Sequence, residues 1–123
     1  FEVADNLGFY NDYDTALATA KKSDRILVLI VLKDPCPYCD RLANNTLSDT
    51  NVEKALKDFV PVVVDINDDY PKGFRPAMTP VTMFVNPQTE DLLWESMGAV
   101  NAKTFQSDLK EATLSRQEDE AAH

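Results

Sequence analysis

A chain of 123 residues with 44% hydrophobic and 27% charged side chains is the size of one domain and has enough apolar material for a real core. Twelve Lys and Arg against 21 Asp and Glu leave a formal charge of −9, and the only adjacent basic pair is Lys21-Lys22, which excludes a nucleic-acid surface. The longest apolar run, residues 26–32, is seven long. A bilayer span needs roughly 20, so no membrane insertion is expected.

The chain opens on Phe1 rather than Met, as expected of a processed product whose export signal has gone. Tyr13, Ala16, Leu17 and Ala20 share one helical face, with Asn11 or Asp12 as cap and Lys21 and Lys22 complementing the dipole at the far end. The run 26–32 has no polar alternation and predicts a strand covered on both faces. Cys39, Leu42, Ala43 and Thr46 keep helical spacing. So do Val52, Ala55, Leu56 and Phe59, behind a capping-box pattern of Thr50 and Glu53.

Residues 60–66 predict a second strand, and Pro61 near its start predicts an edge position. A long loop over 67–79 carries Pro71, Gly73 and Pro76. Residues 81–85 and 92–97, joined through Asn86-Pro87-Gln88-Thr89, predict an antiparallel hairpin that Gly98 ends. Asn101 caps a last helix with Ala102, Phe105, Leu109 and Ala112 inward. One domain is expected over 1–115, with an acidic tail over 116–123 that frays.

Chemistry concentrates in Cys36-Pro37-Tyr38-Cys39, the only two cysteines of the chain. The motif follows a buried strand and opens a helix, where free amides and the dipole stabilise a thiolate. Pro37 fits the first helical turn because its missing N–H costs nothing there. On this spacing Cys36 is the exposed, attacking thiol and Cys39, one turn along, the more buried resolving thiol. Three other readings are weaker. Zinc needs about four ligands, and only His123 joins the two cysteines. A structural disulfide would close too short a loop to constrain the unfolded chain. Two unrelated buried thiols would have no reason to sit at this spacing.

Other side chains have plainer readings. Asp65, Asp68 and Asp69 lack the loop glycine and distal Glu of a calcium loop. Trp94 reads as core or sheet-face packing, Met78 as either core or substrate contact. Lys72 and Arg75 are placed to steer an acidic partner. Asp34 and Asp40 flank the motif and oppose a thiolate, while Lys33 favours one.

Cys36-Pro37-Tyr38-Cys39, Thr79-Pro80-Val81 and Met97-Gly98-Ala99, taken together, resemble the thioredoxin superfamily over nearly the whole chain, from the first helix to Leu114. The resemblance implies an α/β thioredoxin fold: a four-stranded mixed sheet in order 2-1-3-4, helices on both faces, and an N-terminal helix. It implies a cis bond at Thr79-Pro80 facing the cysteines. The substrate groove would then be bordered by Thr79, Pro80, Gly98 and Ala99, with Pro35, Pro37, Tyr38 and Met78. The stretch 46–52 is similar to exported bacterial thioredoxin-like proteins of sulfur-oxidation clusters and to the C-terminal domain of the Dsb-type membrane electron conductor.

Two departures stand out. Many family members carry a buried Asp six residues before the attacking Cys; here Ile30 stands there, and Pro35 replaces the Trp before the motif. Glutaredoxins share Cys-Pro-Tyr-Cys, but residues 81–84 lack their glutathione-site glycines, so glutathione is not expected as an obligate cosubstrate. The expectation is a thiol–disulfide oxidoreductase without metal or organic cofactor. It would be monomeric and periplasmic, reducing protein disulfides with electrons from an upstream thiol partner that a periplasmic setting would place at the membrane. The alternatives are a disulfide-forming oxidant or isomerase, and a redox-sensing peptide-binding module without turnover.

Overall fold

Six consecutive apolar residues form the central strand, β1 (Leu27–Leu32), and every one is buried. The computed structural model, which describes residues 1–122, places β1 between β2 (Val60–Asp65) and β3 (Val81–Val85). Beyond β3 lies β4 (Leu92–Met97), giving the order β2-β1-β3-β4. β1 and β2 are parallel, with Ile30 opposite Val63. β3 runs antiparallel to both β1 and β4, with Ile30 opposite Thr82 and a register shift at Phe84/Val85.

Strand side chains alternate between faces, so β1 feeds two cores. Val28, Ile30 and Leu32 join Leu42, Val52, Phe84, Phe105 and Leu109 on one face. Leu27, Leu29 and Val31 join Tyr13, Ala16 and Ala20 on the other. The second face is covered by α2 (Tyr13–Ser23). The first is covered by α3 (Pro37–Arg41), α4 (Thr50–Leu56) and α5 (Ala102–Ala122). This is the expected α/β architecture, with helices on both faces of a mixed four-stranded sheet.

Pro61 sits on the outer strand as expected. Val60 N–H bonds inward to the Ile26 carbonyl, so the proline position is turned outward, where its missing donor is not needed. On that outer edge Tyr10 adds a single parallel bridge to Val62.

Several local expectations are corrected. A short helix, α1 (Glu2–Leu7), precedes the first expected one and ends at Gly8 with φ 71°. α4 is capped by Asp49, whose carboxylate accepts from the backbone N–H groups of Asn51 and Val52 at 2.9 and 3.1 Å, and not by Thr50. The helix opened by the cysteines widens into a π-helical turn at Leu42–Thr46, and the loop before β3 holds a 3-10 turn at Lys72–Phe74.

The acidic end of the chain is helical, with α5 running on to Ala122. Arg116 reaches back to the Asp24 carboxylate at 2.5 Å and its carbonyl at 3.0 Å, and pairs with Glu120 one turn on at 2.6 Å. Asn86 donates to Asp119 at 2.9 Å. These contacts hold the polar end of the helix against the C-cap of α2 and the β3–β4 turn. His123 lies outside the described residues.

Candidate functional site

Where β1 ends, residues 33–36 cross the top of the sheet and α3 begins. Cys36 is the N-cap of α3, in extended conformation, and Pro37 occupies the first turn. The Cys36 Sγ accepts the backbone N–H of Cys39 at 3.1 Å, so one of the helix's free amides is aimed at the sulfur that would carry charge. Cys36 and Cys39 are joined as a disulfide with Cα atoms 5.2 Å apart. Cys36 is 8% exposed and Cys39 2%, the order of accessibility expected from their spacing.

The second wall comes from the start of β3. Thr79 Oγ1 lies 3.6 Å from Cys36 Sγ, and the Thr79–Pro80 peptide bond is cis, as is Asp34–Pro35. The Pro80 carbonyl accepts the Gly98 N–H at 2.8 Å. Gly98 has φ 84°, a left-handed conformation that suits glycine. It lets the chain leave β4 and turn toward α5, with Ala99 packed on the core. Thr46 then donates its hydroxyl to the Val100 carbonyl at 2.6 Å, tying the π-helical turn behind the cysteines to the segment 98–100.

Contacts therefore link Cys36, Cys39, Thr79, Pro80 and Gly98 into one unit. Pro35, Pro37, Tyr38 and Met78 are exposed, Tyr38 at 59% and Met78 at 47%. Two contributors escaped the sequence reading. Arg41 holds its guanidinium 5.3 Å from the centre of the Tyr38 ring, a cation–π contact that the three-residue helical spacing foreshadows. Thr46 looked like one more helix-face residue, and nothing local marks its bond to Val100.

Ile30, at the position of the missing acid, is fully buried. Asp34, Asp40 and Lys33 are exposed. Asp65 and Asp68 are occupied with backbone turns, accepting from Asn67 N–H and Asp65 N–H at 2.8 Å each. Arg75 donates to the Ile66 carbonyl and to Asn67 Oδ1. Trp94 is 37% exposed on β4 rather than packed in either core, and its Nε1–H donates to Asp108 at 3.0 Å. Among the described residues no three His, Cys, Asp or Glu side chains gather as metal ligands, and no helix is long and apolar enough to cross a membrane.

A disulfide at a helix N-terminus, with one sulfur reachable and the other covered, is built for thiol–disulfide exchange. The comparisons agree. A family profile described as thioredoxin-like matches residues 8–87. A thioredoxin from Thermus thermophilus is 25% identical, with a TM-score of 0.73 over 85% of this chain and 86% of that one. The oxidised DsbD C-terminal domain of Neisseria meningitidis is 19% identical, with a TM-score of 0.68 over 85% and 98% of the two chains. A structure described as a DsbH oxidoreductase is 14% identical, with a TM-score of 0.68 over 84% and 82%. A comparison with curated proteins found no match.

Proposed function

This chain belongs to the thioredoxin-like family, and we propose that it is a thiol–disulfide oxidoreductase that works as a reductant of protein disulfides in the periplasm. The reaction begins with Cys36 thiolate attacking one sulfur of a substrate disulfide. A Cys36–substrate bond forms, and the other substrate sulfur leaves as a thiolate that takes up a proton. Cys39 thiolate then attacks Cys36 Sγ, the substrate's second sulfur leaves, and two electrons have passed from the cysteine pair to the substrate. The Cys36–Cys39 disulfide that remains needs an upstream dithiol to reduce it again.

The observation that carries the direction is how little holds a charge on Cys36. Two donors face its sulfur, the Cys39 N–H and the Thr79 hydroxyl at 3.6 Å. The α-helix behind it runs five residues before it widens into the π-helical turn Leu42–Thr46. A strong oxidant needs its reduced form heavily stabilised, with an attacking thiol of pKa near about 3.5. One helix terminus supplies only about 0.3–1 kcal/mol. The periplasmic setting and a membrane-bound thiol donor rest on the resemblance of residues 46–52 to exported relatives.

Replacing Cys39 with Ser tests the reading. The variant should accumulate mixed disulfides through Cys36 when incubated, reduced, with disulfide-bonded proteins, and Cys36→Ser should form none. Turnover-free binding that survives with both cysteines changed to Ser, and no mixed disulfide from Cys39→Ser, would contradict it.

A further inference from the structure

The exchange reaction asks something of Cys39 that the site as described does not provide. Its thiol must lose a proton before it can attack Cys36, because only the thiolate is nucleophilic. β1 offers no acceptor beneath it, since Leu27–Leu32 are all apolar and buried. The Thr79 hydroxyl lies against Cys36, on the substrate side. Cys39 does border one opening: a cleft of about 480 Å³ between α1 and the start of α3, which Glu2, Lys33, Asp34, Asp40 and Asn44 also line. That volume holds several waters at about 30 Å³ each.

We infer that Asp34 and Asp40 are the proton acceptors for the resolving thiol, reached through water in this cleft. The inference rests on the reading of Cys36 as attacking and Cys39 as resolving thiol. Both aspartates belong to the segment that carries the cysteines, Asp34 two residues before Cys36 and Asp40 directly after Cys39. They line the same cleft as Cys39, whereas Glu2 stands across it on α1. The proton of Cys39 passes through water to a carboxylate oxygen, making a carboxylic acid. The thiolate left behind attacks Cys36 Sγ, the Cys36–Cys39 bond forms, and the Cys36–substrate bond breaks with its electron pair leaving on the substrate sulfur. The carboxylic acid gives its proton to that thiolate or to solvent. The carboxylates thus do from the water side what an acid at position 30 would do from beneath the sheet.

The two thiols can be timed separately by mixing the reduced protein with dithiobis-nitrobenzoate. The reagent releases one coloured thiolate when Cys36 attacks and a second when Cys39 resolves the adduct. For Asp34→Asn/Asp40→Asn near neutral pH, the second release should slow about a hundred-fold or more, the low end of general acid–base catalysis, while the first release does not slow. The difference should close in alkaline buffer, where hydroxide takes the proton, and Asp34→Glu/Asp40→Glu should restore the rate. The sign is decisive. Carboxylates acting only as negative charges hinder formation of a nearby thiolate, so their removal would accelerate the second release. An accelerated or unchanged second release would overturn the inference. Absence of the first release in the parent protein would instead strike the reading of Cys36 on which it rests.

Discussion

Replacing Thr79 with Val removes one hydroxyl and keeps the branched shape of the side chain. Its Oγ1 is 3.6 Å from Cys36 Sγ, and in the reduced protein it donates to the thiolate. A hydrogen bond to a charged group contributes about 1.5–3 kcal/mol. A long contact to sulfur, on a partly buried residue, brings this to about 1 kcal/mol, or roughly a five-fold loss of thiolate at neutral pH. The remaining thiolate is more basic and hence more nucleophilic, with a Brønsted coefficient of about 0.4–0.5, so the attack rate falls only about two- to three-fold. The reduced state loses the same stabilisation, and the couple moves up to about 20 mV more negative. Stopped-flow reaction of the reduced protein with a small disulfide, together with dithiothreitol equilibration, measures both, and Thr79→Ser should stay close to the parent. A Thr79→Val protein with unchanged thermal midpoint and an attack rate equal to or above the parent would refute the role given to the hydroxyl.

Three further outcomes follow from the fold. Asp49→Ala should cost about 1 kcal/mol in denaturant unfolding through loss of the α4 cap, while Thr50→Ala should cost far less; equal losses would restore Thr50 as cap. Burial of Tyr13, and then its hydrogen bond to Glu90, push the phenol well above its ordinary range. A raised folded pKa means that this stabilisation is complete below the unfolded value near pH 10 and is lost as pH rises beyond it. The unfolding free energy should therefore fall by up to about 1.4 kcal/mol per pH unit above about pH 10. Tyr13→Phe should flatten that slope, as urea titrations across alkaline pH would reveal. Arg116→Ala should release the end of α5, so that amides of residues 117–122 exchange faster in hydrogen-exchange measurements while those of β1 keep their protection; uniform protection in both proteins would show that Arg116 does not anchor the helix.

What could be read from sequence was what periodicity and local chemistry report. β1 was legible because both of its faces are buried, which leaves an unbroken apolar run. The hairpin was legible from its two strands and the turn between them, and α5 from Asn101, whose side chain accepts the Thr104 N–H at 2.8 Å. The cysteine pair announced itself by spacing alone. The misreadings divide between contacts distant along the chain and local signals too weak to read. Residues 116–122 look like a solvated tail until Asp24, 92 positions away from Arg116, comes within reach. α1 buries only Ala4, too little to mark a helical face. The choice between Asp49 and Thr50 turns on a one-residue shift in where the backbone enters the helix. The cleft behind Cys39 exists because α1 packs near α3, and no local pattern encodes it.

The most direct test of the account is the reduction potential of the Cys36–Cys39 couple, obtained by equilibrating the protein in dithiothreitol or glutathione buffers. A reductant whose attacking sulfur is held by two donors should titrate as a single two-electron couple near the thioredoxin value of about −270 mV. A value near about −120 mV, the range of a strong oxidant, would reverse the proposed direction of electron flow. Failure to equilibrate as a two-electron couple would remove the oxidoreductase reading altogether.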